Sequence, residues 1–445
     1  MQRNPGRSSV PAPLILAAVL AVASATSAAE EEGGDGARAG EASREESDLE
    51  ASLRRLRESL DTEGKEATLR VGGVFIADTV LWDRRNERHS GLEGSAARPS
   101  VDFRWRDDLR VHAEADLLGA DARGHLLEAW AEWRPDPSLR IRAGRMRFAL
   151  GTEFATREED LPLAGYAFTS WLDGRHDAGA AVEGSLGDGA LWGQASFASG
   201  HGFGLDGRAR RSPWVGARVA LRPFRGLADR GAWAGRALGG WFVGGGAALL
   251  GDFDDPVVLE TPLGSTVFRT DDLGGDGGRW LHLDTGFAAG PVAAGLEVVR
   301  GSADGVPGRV GAAFDANQLT AWTASTAVSL TGERREWRDG AWKAPVPGSP
   351  GGAWEFALRY SNGDIDRDLF HQGFTTYDPS SQEFRTFSTL LGWRPAEGVR
   401  VAVGWVKVIA DDSLTVFGGP GPRSFPRSGD DDRDSSFVLR LEISF

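Results

Sequence analysis

The chain has 445 residues, a formal net charge of −14, a sequence pI near 5.1 and no cysteine. The acidic balance argues against nucleic acid as a partner, and the missing cysteines exclude disulfides. Mean hydropathy is −0.30, and past the N-terminus no stretch nears the roughly 18 apolar residues of a membrane helix, so a helical membrane protein is excluded. A transmembrane β-barrel is not, because its lipid-facing and lumen-facing residues alternate and average to a soluble-looking composition.

Residues 1–29 carry Arg3 and Arg7, an apolar core from Ala12 to Ala23, and small residues ending Ala23-Ser24-Ala25 or Ser27-Ala28-Ala29. That is the pattern of a secretory signal peptide, so export is expected. Residues 30–48 are acidic and small, as in a disordered segment. Leu49, Leu53, Leu56 and Leu60 then repeat at spacings of four, three and four. The repeat suits a short coiled-coil seam beneath an oligomer, or one amphipathic helix on a periplasmic surface. The expected domains are therefore signal peptide 1–29, acidic segment with short coil 30–64, and barrel 65–445.

Period-two alternation runs through the remainder. Strands are expected near 68–82, 98–106, 109–118, 125–134, 138–146, 176–187, 190–198, 212–223, 236–249, 279–288, 291–300, 317–332, 353–361, 383–394, 398–408 and 435–445. That makes sixteen, an even number, as bacterial barrels require. Short turns (RDD, RPDPS, GDG, AGP, RPAEG) alternate with longer Gly- and Asp-rich loops at 83–97, 147–175, 250–278, 362–382 and 409–434. The links 224–235 and 333–352 are longer than simple turns although they fall on the short side. A β-sandwich shares the period, but charges of both signs on the polar faces and aromatics at strand ends (Trp105, Trp133, Trp393, Trp405, Phe445) favour the barrel. In the last strand Phe437, Leu439, Leu441, Ile443 and Phe445 share one face, so it is expected to close against the first strand. Phe445 is then the residue on which assembly of the barrel depends, through the barrel-assembly machinery.

The run LTAWTASTAVSLTGERREW…KAPVPGSPGGAWEFALRYS (317–361) is similar to the phosphate-selective porin O and P family, with LTGE at Leu330–Glu333 and GAWE at Gly352–Glu355. LRIRAGRMRFALGTEFAT (139–156) resembles that family's strand leading into an inward-folded third loop, and 387–408 resembles its penultimate hairpin. The resemblance covers roughly 65–445 and implies a sixteen-stranded, trimeric diffusion pore in the outer membrane, among lipid and lipopolysaccharide. It also implies an arginine ladder leading anions to a constriction. Arg98 and Arg175 match arginines of that family, Asp116 matches an acidic strand-end residue, and Glu159 falls near the third-loop lysine. In 250–278 there is one arginine, Arg269, against Asp252, Asp254, Asp255, Glu260, Asp271, Asp272 and Asp276, so the ladder is expected to be missing.

By parity the lumen also receives Arg104, Arg110, Arg140, Arg142, Arg359, Arg400 and Arg440, with Asp102, Glu114, Glu128, Glu132, Glu355 and Glu442. The third loop adds Arg157 beside Glu153, Glu158, Glu159 and Asp160. Such a mixed lining predicts a weakly selective passage for small polar or charged solutes, with the loop carboxylates opposing anions. The excess of arginine over lysine fits guanidinium recognition of anions, or a genome biased towards Arg codons. A lumen plugged by loops, in a structural or adhesive barrel, is the competing reading. The chain shows no catalytic constellation and no metal or cofactor motif: His112 reads as a solvated wall residue, GDDDRD (429–434) as a solvated loop, and GFGLDG (202–207) lacks the helix a phosphate cradle needs.

Overall fold

A computed structural model describes residues 67–82, 91–118, 125–200, 213–227, 238–251, 258–263, 266–269, 275–305, 317–367, 370, 380–410 and 433–445. The signal peptide and residues 30–64 lie outside the described residues, as do the loop segments 202–207 and 429–432. Sixteen antiparallel strands close into a barrel. They are β1 (Ala67–Trp82), β2 (Gly91–Trp105), β3 (Leu109–Asp116), β4 (His125–Asp136), β5 (Leu139–Ala149), β6 (Gly174–Leu186), β7 (Leu191–Ala198), β8 (Trp214–Leu221), β9 (Phe242–Leu250), β12 (Gly275–Ala289), β13 (Val292–Gly305), β14 (Asn317–Ser329), β17 (Ala353–Ile365), β18 (Glu383–Ala396), β19 (Val399–Ala410) and β20 (Arg433–Ser444). Two small hairpins stand apart from the wall: β10 (Val258–Glu260) with β11 (Thr266–Arg269), and β15 (Glu336–Arg338) with β16 (Ala341–Lys343).

Alternation decides which way each strand faces. In β8, Val215, Val219 and Leu221 point outward and are exposed, while Trp214, Arg218 and Ala220 are buried inside. In β12, Leu281 and Leu283 face out while His282 and Asp284 face in. The outer face is thus an apolar belt whose burial is supplied by lipid. Aromatics edge it: Trp354 stacks on Trp393 at 5.9 Å near the short turns, and Trp322–Tyr360 and Phe387–Trp405 pair higher on the wall.

The expected closure is present. β20 pairs antiparallel with β1 from Val74↔Ser444 to Trp82↔Ser436. Phe445 exchanges main-chain hydrogen bonds with Gly73, its N–H at 3.1 Å and its carbonyl at 3.0 Å, and its ring stays outside. Asp78 lies directly opposite Arg440, whose Nε and Nη2 donate to the two carboxylate oxygens at 2.7 and 2.6 Å. This buried bidentate fork fixes the seam more specifically than the apolar face can.

The interior departs from expectation on one side. Where β13 to β19 approach the long loops, inward positions are apolar: Val299, Leu319, Ala321, Ile365, Phe384, Val406 and Val408. A lumen lined by water would not support them. They pack instead on Leu259, Val267 and Phe268 of the β10–β11 hairpin, and on Phe168 and Leu172 of the loop that follows β5. Five adjacent strands, β13, β14, β17, β18 and β19, therefore enclose a hydrophobic core at the loop end of the barrel.

Candidate functional site: a loop and a hairpin that meet inside the barrel

The segment between β5 and β6 turns into the barrel, carrying two short helices, α1 (Thr152–Ala155) and α2 (Thr169–Asp173). Its anchors reach nearly every wall. The Glu153 carboxylate accepts from Arg359 Nη1 at 2.7 Å and from the Ala167 N–H at 2.5 Å, while the Glu153 N–H donates to Glu297 Oε1 at 2.6 Å. Arg147 Nη1 donates to the carbonyls of Phe154 and Thr156 and to Tyr166 Oη. Arg400 and Arg394 donate to the carbonyls of Leu161 and Glu159 at 2.5 and 2.9 Å. Leu163 and Ala164 pack on Val80, Ala327, Ala357, Leu390, Ala402 and Val438. Main-chain carbonyls inside a barrel need donors, and arginines of the wall supply them.

From the opposite mouth the β15–β16 hairpin rises to meet this loop. Its Asp339-Gly340 turn has φ of 52° and 81°, the two positive values a two-residue hairpin turn requires. Trp337 stacks on Phe242 at 4.5 Å, Trp342 meets the same ring edge-on, and both lie in a cluster with Trp192 and Ala293 on the inner wall. The Trp342 N–H donates to Thr156 Oγ1 at 3.0 Å, and Asp160 accepts from Lys343 Nζ and from the Ala344 N–H, each at 2.9 Å. Two buried indoles of about 150–250 Å² each, at about 25 cal/mol per Å², correspond to an upper figure of roughly 7–12 kcal/mol for seating the hairpin. Expected only as an overlong link, residues 333–352 carry the hairpin that meets the in-turned loop inside the barrel. The DG dipeptide between Trp337 and Trp342 was the sequence signal for it.

The third-loop residues thus sit inside the barrel, but their carboxylates are engaged. Glu158 bridges Arg98 at 3.1 Å and Arg440 at 3.2 Å, Asp160 is held by the hairpin, and Glu159 pairs with Arg157 at 3.1 Å. The picture of free acids crowding the ion path is corrected: Glu158 and Asp160 are fasteners. Burial favours the neutral acid, but Arg440 and Arg98 overcome it and hold Glu158 below the ordinary carboxylate range. At Glu159 burial prevails over Arg157, with Asp160 adding repulsion, and its carboxyl is shifted up.

The inward arginines divide into two sets. Arg359, Arg400 and Arg440 are buried anchors. Arg98, Arg104, Arg110, Arg140 and Arg142 on β2, β3 and β5, with Arg157 of the loop, keep between 19% and 47% of their side-chain surface exposed. Arg98 reaches Asp116 at 3.2 Å, so the strand-end acid and this arginine do meet. Arg104 and Arg110 share Asp102, Arg140 spans Glu183 and Asp339, and Arg142 pairs with Glu183. In most of these pairs the guanidinium is the more accessible partner: Arg104 and Arg157 expose 47% and 39%, against 14% for Asp102 and 7% for Glu114, whereas Arg140 at 22% is more exposed than Glu183 but less than Asp339 at 46%. His112 is a correction. It is buried under Trp130, with ring centroids 5.1 Å apart, between Asp102 and Glu114, and is not solvated. Arg175 opposes Phe148 at the start of β6, but its side chain lies outside the described residues, as does most of the acid-rich stretch between β9 and β12.

A closed sixteen-strand barrel narrowed by a loop from within defines a porin-type fold. No family model and no curated protein matches the chain. Solved structures do: the anion-selective porin from Comamonas acidovorans aligns with a TM-score of 0.51 at 10% identity, covering 85% of this chain and 100% of that one. A loop L8 deletion mutant of OmpT, an outer membrane protein of Vibrio cholerae, aligns with a TM-score of 0.50 at 11% identity, covering 86% and 100%. At such identities the likeness shows the fold alone, and that fold is the barrel of outer-membrane porins.

Proposed function

We propose that the protein is an outer-membrane porin offering a narrow aqueous passage for passive diffusion of small charged or polar solutes, with a preference for anionic groups. The carrying observation is that Arg104, Arg110 and Arg157 are each more exposed than a carboxylate they pair with, Asp102 for the first two and Glu114 for the third, while Arg140 lies half-buried beside them between the buried Glu183 and the exposed Asp339. A charge a few ångströms from the ion path, at intermediate effective dielectric, acts with about 1–4 kcal/mol, so the nearer sign governs. This row of arginines runs along β2, β3 and β5 rather than through 250–278, so a ladder absent from that loop does not decide the matter. Kinship with the phosphate-selective O and P family, export by the N-terminal signal, assembly through Phe445, a homotrimer and contact with lipopolysaccharide belong to the same reading. A plugged, structural barrel is the second reading, favoured by the contact of hairpin and loop inside the lumen.

Glu159 gives a pH test. Because its carboxyl is shifted up, it takes a proton before an ordinary glutamate does as pH falls, whereas Glu158 stays charged. Lowering pH from neutrality towards 5 in planar bilayers is expected to move the reversal potential in a salt gradient further towards anions. In Glu159→Gln that pH-dependent part is expected to vanish. A wild-type reversal potential that moves towards cations on acidification sinks the assignment.

A further inference from the structure

The wall beneath helix α1 gathers three buried donors. His282 and Asp284 lie two residues apart on the inner face of β12, and Glu297 stands directly across from Asp284 on β13. Their candidate donor atoms all lie within 4.8 Å of one another, and His282 Nε2 is 3.9 Å from Glu297 Oε2. Arg218 Nη2 donates to Asp284 Oδ2 at 2.7 Å, and Thr152 Oγ1 meets the same oxygen. Asp284 Oδ1 has no hydrogen-bond donor among the described residues, although its side chain is only 1% exposed. An ionised oxygen left so, away from water, costs several kcal/mol unless a proton or a cation meets it.

The neighbouring strand bears no side chain at this point, so that Asp284 Oδ1 can lie close against its backbone. Opposite Asp284 and His282, β9 carries Gly244 and Gly246. A Cβ at Gly244 would stand 2.2 Å from Asp284 Oδ1. One imidazole with two carboxylates suits first-row divalent ions and disfavours magnesium and calcium, which take oxygen donors. Bonds of about 2.0–2.2 Å to zinc would ask each donor to move by less than about 1 Å.

We propose that His282, Asp284 and Glu297 form a structural site for a first-row divalent cation, typified by Zn²⁺, that clamps the start of the in-turned loop to the barrel wall. The link to the loop is direct: Thr152 touches Asp284, and the Glu153 N–H donates to Glu297. No spacing in the sequence announced the site, because its third donor comes from the adjacent strand and i, i+2 pairs of polar residues are ordinary in a barrel.

The test uses the full chain folded in detergent with Zn²⁺, then dialysed against metal-free buffer. One zinc ion per chain is expected to remain, and removing it with a chelator should lower the temperature at which unheated electrophoretic mobility changes to the unfolded position. His282→Gln and Glu297→Gln should each lose the zinc and the zinc-dependent rise. X-ray absorption at the zinc edge of the wild type should show a single imidazole among oxygen donors, a readout independent of how the variants fold. No retained zinc, undiminished zinc in both variants, or a site with two or more imidazoles from the chain's seven histidines would each overturn the proposal.

Discussion

Replacing the hairpin Glu336–Lys343 by a short turn is expected to raise single-channel conductance several-fold. The hairpin brings Trp337, Trp342 and Lys343 into the interior from the mouth opposite the in-turned loop, and its contacts with Thr156 and Asp160 close the gap between them. The strand ladder of the wall does not run through it, since β14 pairs directly with β17 from Leu319↔Ile365 to Ser329↔Glu355. The milder Trp342→Ala removes an indole worth about 3–5 kcal/mol of packing and should give a noisy channel that samples the larger conductance. If the deletion variant folds and conducts no better than wild type, the hairpin is not part of the constriction.

Arg440→Met is expected to cost about 3–5 kcal/mol, because it leaves Asp78 buried opposite an apolar side chain and takes one of two arginines from Glu158. The readout is the temperature at which the unheated electrophoretic form converts to the boiled one, which should fall well below that of the wild type. Pairing the change with Asp78→Leu should recover much of the loss, since the uncompensated charge is then gone. Phe445→Ser should behave differently. Its ring is 79% exposed and its main-chain bonds to Gly73 survive the change, so the finished barrel should stay stable while the yield of assembled protein falls. Equal stability of Arg440→Met and wild type would mean that the seam is held by the ladder alone.

The strands were legible because each must present an apolar side chain to lipid at every second position. β17 follows Trp354, Phe356, Leu358 and Tyr360 outward with Glu355 and Arg359 inward, as alternation requires. β2 begins earlier than expected, at Gly91, since GLEGSAA shows little contrast between its faces. The polar-lumen assumption failed where β13 to β19 bury Val299, Leu319, Phe384 and Val408 against the inserted segments. There both faces of the strand are apolar, and period two cannot tell lipid from an internal core. The candidate arginines on the strands were identified by parity, but parity cannot separate Arg400, whose guanidinium is spent on Glu442 and the Leu161 carbonyl, from Arg104, which keeps nearly half its surface. That distinction depends on where the loop and hairpin come to rest, which is a long-range property. Likewise the acids of TREED are fasteners only because Arg98, Arg440 and Lys343 arrive from distant strands and from the hairpin.

The most direct measurement is the zero-current potential of wild-type channels in planar bilayers across a tenfold potassium chloride gradient, repeated with Arg104, Arg110, Arg140 and Arg157 all changed to Gln. An anion-preferring potential in the wild type that collapses to zero or reverses in the quadruple variant is the predicted result. A cation-preferring wild type, or an anion preference untouched by removing all four guanidinium groups, would contradict the proposal that this row governs the passage.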